Sequence, residues 1–144
     1  MTHEQALEEA LERYHDAAAE FIQGNVEPYK AVFSQTEDVS LGNPFNPVAR
    51  GWPDASATIE RACALYADGE VVGFERVADY ATPDLAYIME IERYRAKIGG
   101  SDELTPVELR VTSILRPEDG TWKVLHRHAD PITTARDASS VVQE

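Results

Sequence analysis

Leu109-Arg110-Val111-Thr112-Ser113-Ile114-Leu115-Arg116, then Pro117-Glu118-Asp119-Gly120, then Thr121-Trp122-Lys123-Val124-Leu125-His126-Arg127-His128-Ala129-Asp130 is the stretch that decides the fold. Two runs rich in β-branched and aromatic residues flank a turn built from Pro, Asp and Gly, which reads as two antiparallel strands. The same pattern extends upstream. Segments 70–81, 85–98, 106–117 and 121–130 are rich in Val, Ile, Tyr, Leu and Thr, and Thr82-Pro83-Asp84 and Gly99-Gly100-Ser101-Asp102 separate them. Strands of about 10 residues exceed the usual 5–6, so the sheet is expected to curve strongly.

The first half reads as helices. Over residues 2–23, Leu7, Leu11, Tyr14, Ala18 and Phe21 recur at helical spacing. Thr2 and Gln5 fit a capping box, and Gly24 fits the stop. Pro28 opens a short second helix to about Val32. Residues 37–42 read as a short strand and 43–52, with two prolines and a glycine, as an ordered loop. Pro53 opens a third helix, with Ile59, Ala62, Cys63 and Tyr66 on one face and Asp68-Gly69 closing it. Helices followed by a run of antiparallel strands is an α+β pattern. One domain over 1–132 and a small polar tail over 133–144, expected to fray, complete the organisation.

Composition excludes several classes. The 144 residues carry 13 Lys+Arg and 26 Asp+Glu, a net −13 that repels phosphate backbones and anionic lipid. No apolar run approaches the about 18 residues of a membrane span, and the N-terminal residues lack the pattern of a secretory signal. No nucleic-acid or membrane partner is expected, and a cytoplasmic location is the default. The single cysteine, Cys63, lies in an apolar helical stretch and reads as a buried structural thiol.

The chain resembles the NTF2-like superfamily, the SnoaL-like or cystatin-like α+β cone. Arg13-Tyr14 on the first helix, Asp38-Val39-Ser40-Leu41-Gly42-Asn43-Pro44, the strand 109–116 with its Glu-Asp-Gly turn, and the Trp122-x-x-x-His126-x-His128 close carry the resemblance. It covers roughly residues 5–131. It implies three N-terminal helices packed on a strongly curved antiparallel sheet, a pocket inside the cone and an outer sheet face that often pairs two subunits. It does not imply one function, since this superfamily hosts isomerases, dehydratases, cyclases, binding modules and dimerisation domains. Against the ketosteroid isomerase branch, Tyr14 matches the helix tyrosine. Asn43, before Pro44, stands where the base aspartate belongs, and Thr112 stands near the protonated aspartate. Two of three roles are unfilled, which argues against isomerisation by that mechanism.

Alternation along strands groups the remaining candidates. Glu90, Glu92 and Tyr94 share one face; so do Arg110 and Thr112, and so do Trp122, Val124, His126, His128 and Asp130. If all point inward, they gather carboxylates, a guanidinium and two imidazoles. His126 or His128 beside Asp130 then makes a general base, and Arg110 a clamp for a carboxylate or enolate. The reverse parity leaves Tyr87-Met89-Ile91 and Leu109-Val111-Ser113-Leu115 lining the cone. The resemblance favours the first, through Thr112. Each residue also has a plainer role. Tyr14 suits the core, Arg110 a cross-strand ion pair with Glu90 or Glu92, Asp130 a turn before Pro131, and Asn43 a loop bonding its own backbone. Trp52 suits a hydrophobic staple, or a cap at the pocket mouth. His15 falls at the polar edge of the helical stripe. The two histidines alone make no metal motif, and no metal or cofactor is expected.

Two functions compete at this stage. One is a homodimeric pocket protein for a small, largely apolar organic ligand, with cofactor-independent isomerase, dehydratase or cyclase chemistry open to it. In that reading His126, His128 and Asp130 are catalytic, and Tyr14, Asn43, Trp52, Glu90, Glu92, Arg110 and Thr112 bind ligand. The other is a non-catalytic dimerisation or association module whose cone is filled by Phe33, Phe45, Phe74 and Trp122.

Overall fold

The computed structural model describes residues 2–143; Met1 and Glu144, at the outer ends of the two expected segments, lie outside the described residues. Helix α1 spans His3–Phe21, α2 Glu27–Ala31 and α3 Trp52–Cys63. The strands are β1 Ser40–Asn43, β2 Asn46–Arg50, β3 Tyr66–Ala81, β4 Ala86–Ile98, β5 Thr105–Glu118 and β6 Thr121–Asp130. They form one six-stranded sheet in the order β2-β1-β6-β5-β4-β3. Three helices on one curved sheet match the expected α+β cone.

Local chemistry explains the helices. Thr2 Oγ1 accepts from the Gln5 amide and Gln5 Oε1 accepts from the Thr2 amide, closing the capping box that starts α1. Leu7, Ala10, Leu11, Tyr14, Ala17, Ala18 and Phe21 form its buried stripe. None of the described helices is long and apolar enough to cross a membrane.

The sheet bends because its strands carry extra residues. The 16-residue β3 shifts register against β4 at three places, and β6 shifts against β5 between Val124 and His126. Each such bulge bends its strand and raises its twist. At the start of β3, Gly69 passes so close to the end of α1 that a Cβ there would lie 2.5 Å from the Ile22 carbonyl oxygen. Only glycine permits that approach, which is fixed by a hydrogen bond from the Gly69 amide to the same oxygen.

Three details differ from the sequence reading. The 43–52 loop contains a strand, β2, hairpinned onto β1; Pro47 obscured it, but edge strands tolerate proline. The sheet is mixed, because β1 runs parallel to β6. Asp68-Gly69 lies inside β3, and α3 ends earlier, at Cys63, so Tyr66 belongs to the sheet. Beyond β6 the tail is largely exposed and contains one 3-10 turn, Ala138–Val141.

Candidate functional site

The faces of the strands decide what the cone contains. On β4 the alternation holds: Glu90, Glu92 and Tyr94 point inward and are buried. On β5 the inward residues are Leu109, Val111, Ser113 and Leu115, so Arg110 and Thr112 project from the outer face. This corrects the expected position of both, and the reason is register: Leu109 pairs with Glu92 and Val111 with Glu90, and directly opposed residues share a face. On β6, Trp122 and Val124 point inward, Leu125 is the extra residue of the bulge, and thereafter Arg127 and Ala129 point inward. His126, His128 and Asp130 therefore also lie on the outer face, not in the cone.

On that outer face they form an exposed polar set. Arg110 donates through Nε and Nη2 to the two carboxylate oxygens of Asp130, at 3.1 and 2.7 Å. His128 Nε2 lies 3.1 Å from Asp130 Oδ2, and Asp130 Oδ1 also accepts from the Ile132 amide. Arg110 is thus paired with Asp130 rather than with Glu90 or Glu92. His126 Nδ1 lies 2.8 Å from the Ser40 hydroxyl; burial, then His128, pushes this imidazole below its ordinary value.

Inside, one fully buried carboxylate organises the floor. Glu92 is 0 % exposed. Its Oε2 accepts from the Tyr14 hydroxyl, and its Oε1 accepts from the Tyr94 hydroxyl at 2.5 Å and from Arg127 Nη2 at 3.1 Å. Arg127 Nε donates to the Tyr14 oxygen at 2.8 Å. The guanidinium carbon lies 6.0 Å from the Tyr14 ring centre and 5.8 Å from that of Tyr29, within reach of a cation–π attraction. Burial pushes the Tyr14 and Tyr94 hydroxyls well above their usual value and that of Tyr29 up to about 12. Burial opposes the charge of Arg127, but the surrounding tyrosines and Glu92 outweigh it and hold the guanidinium protonated. Among the described residues, Arg127 Nη1 donates to no protein group. No side-chain nitrogen or oxygen of the described residues is both sealed from water and unpartnered, so Nη1 is not sealed off, and Arg127 lines the cavity beside it.

That space is a narrow cavity of about 30 Å³, widening to about 510 Å³ of unoccupied space when its mouth and the solvent there are counted. Its walls are Phe21, Ile22, Phe33, Leu41, Ile59 and Leu109; Tyr29, Tyr66, Tyr94, Glu92 and Arg127 supply the polar groups. Asn43, Pro44 and Phe45 also line it, at the β1–β2 hairpin. Asn43 Oδ1 accepts from the amides of Phe45 and Asn46, both at 2.9 Å, so this side chain holds the hairpin in shape while bordering the cavity. Phe45 is 41 % exposed and touches Tyr66 edge-on, ring centres 6.1 Å apart.

The other candidates stand apart. Glu90 binds the first helix instead: its Oε1 lies 2.7 Å from His15 Nε2, and the His15 ring stacks on Phe74 at 3.9 Å. Tyr14 lies behind the cavity wall and acts through Arg127 and Glu92. Trp52 is the first residue of α3 and lines a separate surface groove with Gln35, Thr36 and Glu37. Phe33 and Trp122 are core residues. Cys63 is buried, its thiol facing the Phe21 carbonyl oxygen at 3.4 Å and pushed up by burial, which suits a structural thiol. No three His, Cys, Asp or Glu side chains among the described residues converge as a metal site. The sequence reading missed Arg127 and Tyr29. The adjacent apolar pair Val124-Leu125 is the one sequence mark of the bulge that turns Arg127 inward.

The comparisons agree with this architecture. The model of the SnoaL-like domain matches residues 7–133. No curated protein matches the chain in sequence. Among solved structures, a ketosteroid isomerase-like protein from Erwinia carotovora atroseptica superposes with a TM-score of 0.73 at 17% identity, covering 90% of this chain and 96% of its own. An NTF2-like superfamily protein from Salmonella enterica gives 0.73 at 14% identity, covering 98% and 97%. A cystatin-like fold from Nostoc punctiforme gives 0.66 at 15%, covering 88% and 89%. At such identities the likeness is one of fold.

Proposed function

This chain belongs to the SnoaL-like domain family, and from that premise we propose that it binds a small, largely apolar organic molecule inside the cone. The observation that carries the reading is the composition of the cavity: apolar walls around a buried polar floor, with one guanidinium nitrogen left free to face a guest. Ligand sites in proteins have this makeup, mostly apolar with a few placed polar groups. A void of about 30 Å³ holds two or three waters, at about 10–15 Å³ each. A larger guest therefore needs Phe45 to swing outward, and that half-exposed ring is the least confined of the wall. Binding, rather than acid–base turnover, is the better-supported work. The histidines and Asp130 face away from the cone, and Glu92 already accepts from three donors.

Fragment binding followed by amide NMR tests this. A guest in the cone shifts the amides of Phe45, Tyr66 and Leu109. If small apolar fragments of every charge type leave those amides unmoved in both the natural chain and Phe45→Ala, the reading fails.

A second reading, homodimerisation through the outer face, rests on a separate observation. Cross-strand pairing sets Tyr80, Tyr87 and Ile114 in one row and Met89 and Thr112 in the next, an apolar centre on the convex side. The polar Arg110–Asp130 pair and His128 border it. Light scattering decides it: a dimer that Ile114→Glu converts to monomer supports the reading, and a monomeric natural chain removes it.

A further inference from the structure

We propose that the cone selects a neutral molecule carrying an oxygen acceptor, a ketone or lactone, over a carboxylate or an amine of the same size. This rests on the pocket reading above and adds the ligand's chemical class. The inference begins with what the floor still lacks. Arg127 bonds Tyr14 through Nε and Glu92 through one N–H of Nη2, leaving Nη1 an unpartnered donor on a residue that lines the cavity. The Tyr66 hydroxyl, another cavity group, also bonds no protein group among the described residues, and it stands near enough to feel the charge of Arg127. The guanidinium can only donate and the hydroxyl can donate, so the partner that serves both is an acceptor.

Charge excludes the anionic acceptor. Glu92 already neutralises Arg127 at 3.1 Å. A guest carboxylate would crowd a second negative charge around one buried guanidinium, and like charges sharing a site disfavour ionisation. The net −13 of the chain also repels anions at the approach. An amine fares no better. It would meet Arg127 at close range and find both oxygens of Glu92 already engaged. A neutral carbonyl takes the free N–H without adding charge, and the apolar walls suit its hydrocarbon part. Hydrogen bonds to a charged donor are among the stronger ones, which sets the expected selectivity at tenfold or more.

The test uses size-matched rings: cyclohexanone, cyclohexanecarboxylate, cyclohexylamine and methylenecyclohexane. Each is titrated into the natural chain and into Phe45→Ala, which enlarges the mouth for a six-membered ring. Amide shifts of Tyr66 and Leu109 report occupancy, and the Arg127 Nε–H resonance reports its hydrogen bonding. The expected result is cyclohexanone binding at least about tenfold tighter than the other three, about 1.4 kcal/mol, with the Arg127 resonance moving for the ketone alone. Equal or tighter binding of the carboxylate or the amine overturns the class while leaving the pocket standing. So does a ketone no tighter than methylenecyclohexane. If none of the four binds either protein, the pocket reading fails and the class falls with it. Arg127→Lys, which keeps the charge but loses the fork, should erase the preference for the ketone; a retained preference also overturns the proposal. The comparison within the natural chain decides the matter even if that variant does not fold.

Discussion

Exchanging Glu92 for Gln should be among the most destabilising single-atom changes in this protein. The carboxylate is 0 % exposed and its guanidinium partner 8 %. Gln keeps the shape and one acceptor oxygen, so what it removes is the charge that balances Arg127. Breaking a buried pair on one side costs about 3–5 kcal/mol, because the surviving charge stays desolvated. A domain of this kind has about 5–15 kcal/mol in all, so a loss of about 3–5 kcal/mol leaves E92Q without at least about a fifth of its stability. At about 2–4 °C per kcal/mol, the melting point should fall by about 10 °C. Arg127→Met strips the other partner and should cost a similar amount. The double variant E92Q/R127M has no charge left at this pair and retains a hydrogen-bonding group for Tyr14 and Tyr94. Its loss should be well below the sum of the singles, with a coupling of about 3 kcal/mol or more. Urea unfolding followed by tryptophan fluorescence measures all four corners of the cycle. A loss below about 1 kcal/mol in E92Q, the range of exposed pairs, would refute the reasoning, and so would strict additivity. Either result means that water reaches the pair.

The remaining predictions concern pH and the outer face. Burial raises the hydroxyl of Tyr29 to about 12, above its value near 10 in the unfolded chain. The folded state then holds a proton that the unfolded state releases. Stability should fall above about pH 10, at about 1.4 kcal/mol per unit for this group, and Tyr29→Phe should flatten the fall. Unfolding titrations at alkaline pH check this; an unchanged slope in the variant counts against it. His126 is pushed the other way, below its ordinary value, so its contribution is present above about 6.5 and lost as pH falls below that. An NMR titration should place its midpoint lower than that of an unstructured histidine, and a midpoint at or above that value removes the argument. Arg110→Ala removes an exposed pair, so it should cost at most about 1 kcal/mol and leave binding in the cone unchanged. A large loss of probe affinity in that variant would return Arg110 to the pocket.

Most of the architecture was legible because it follows from pattern. The apolar stripe of α1, its Thr2–Gln5 cap, and the Pro-Glu-Asp-Gly turn between β5 and β6 each have a local cause that acts wherever the residues stand. The second strand was not, since Asn46-Pro47-Val48 has neither alternation nor length and forms by pairing with β1. Of the three strands β4, β5 and β6, only β4 was legible at the site, although Tyr14 on α1 and Asn43 at the hairpin were legible too. On β4 the inward face is the polar one, with Glu90 and Glu92; on β5 the resemblance at Thr112 favoured the polar face again and put Arg110 and Thr112 on the wrong side. The inward face of β5 is Leu109, Val111, Ser113 and Leu115, which a rule of apolarity would have chosen. On β6 no uniform rule works. Strict alternation from Trp122 and Val124 leads to His126 and His128, whereas one extra residue at Leu125 hands the inward positions to Arg127 and Ala129. A bulge is a property of two strands together, set by how the sheet must bend, and one strand's sequence records it faintly.

That single residue gives the site its character. Without the bulge the cone would hold Glu92 with no cation beside it, an arrangement that a buried carboxylate tolerates poorly. With it, α1, β4 and β6 meet at one point through Tyr14, Glu92 and Arg127, elements far apart in the chain. Stability alone does not explain such a floor. Apolar side chains of similar volume usually serve a core as well as a buried ion pair, or better. What the pair provides that leucines would not is a fixed cation lining an otherwise greasy cavity, held through Nε and Nη2 and with Nη1 engaged by no group of the described residues. The outer face repeats the same chemistry without the burial. Arg110 and Asp130 pair at the surface, where the guanidinium stays exposed and attraction is weak. The two pairs therefore separate cleanly by experiment. Removing the outer one should touch neither fold nor binding, and removing the inner one should touch both.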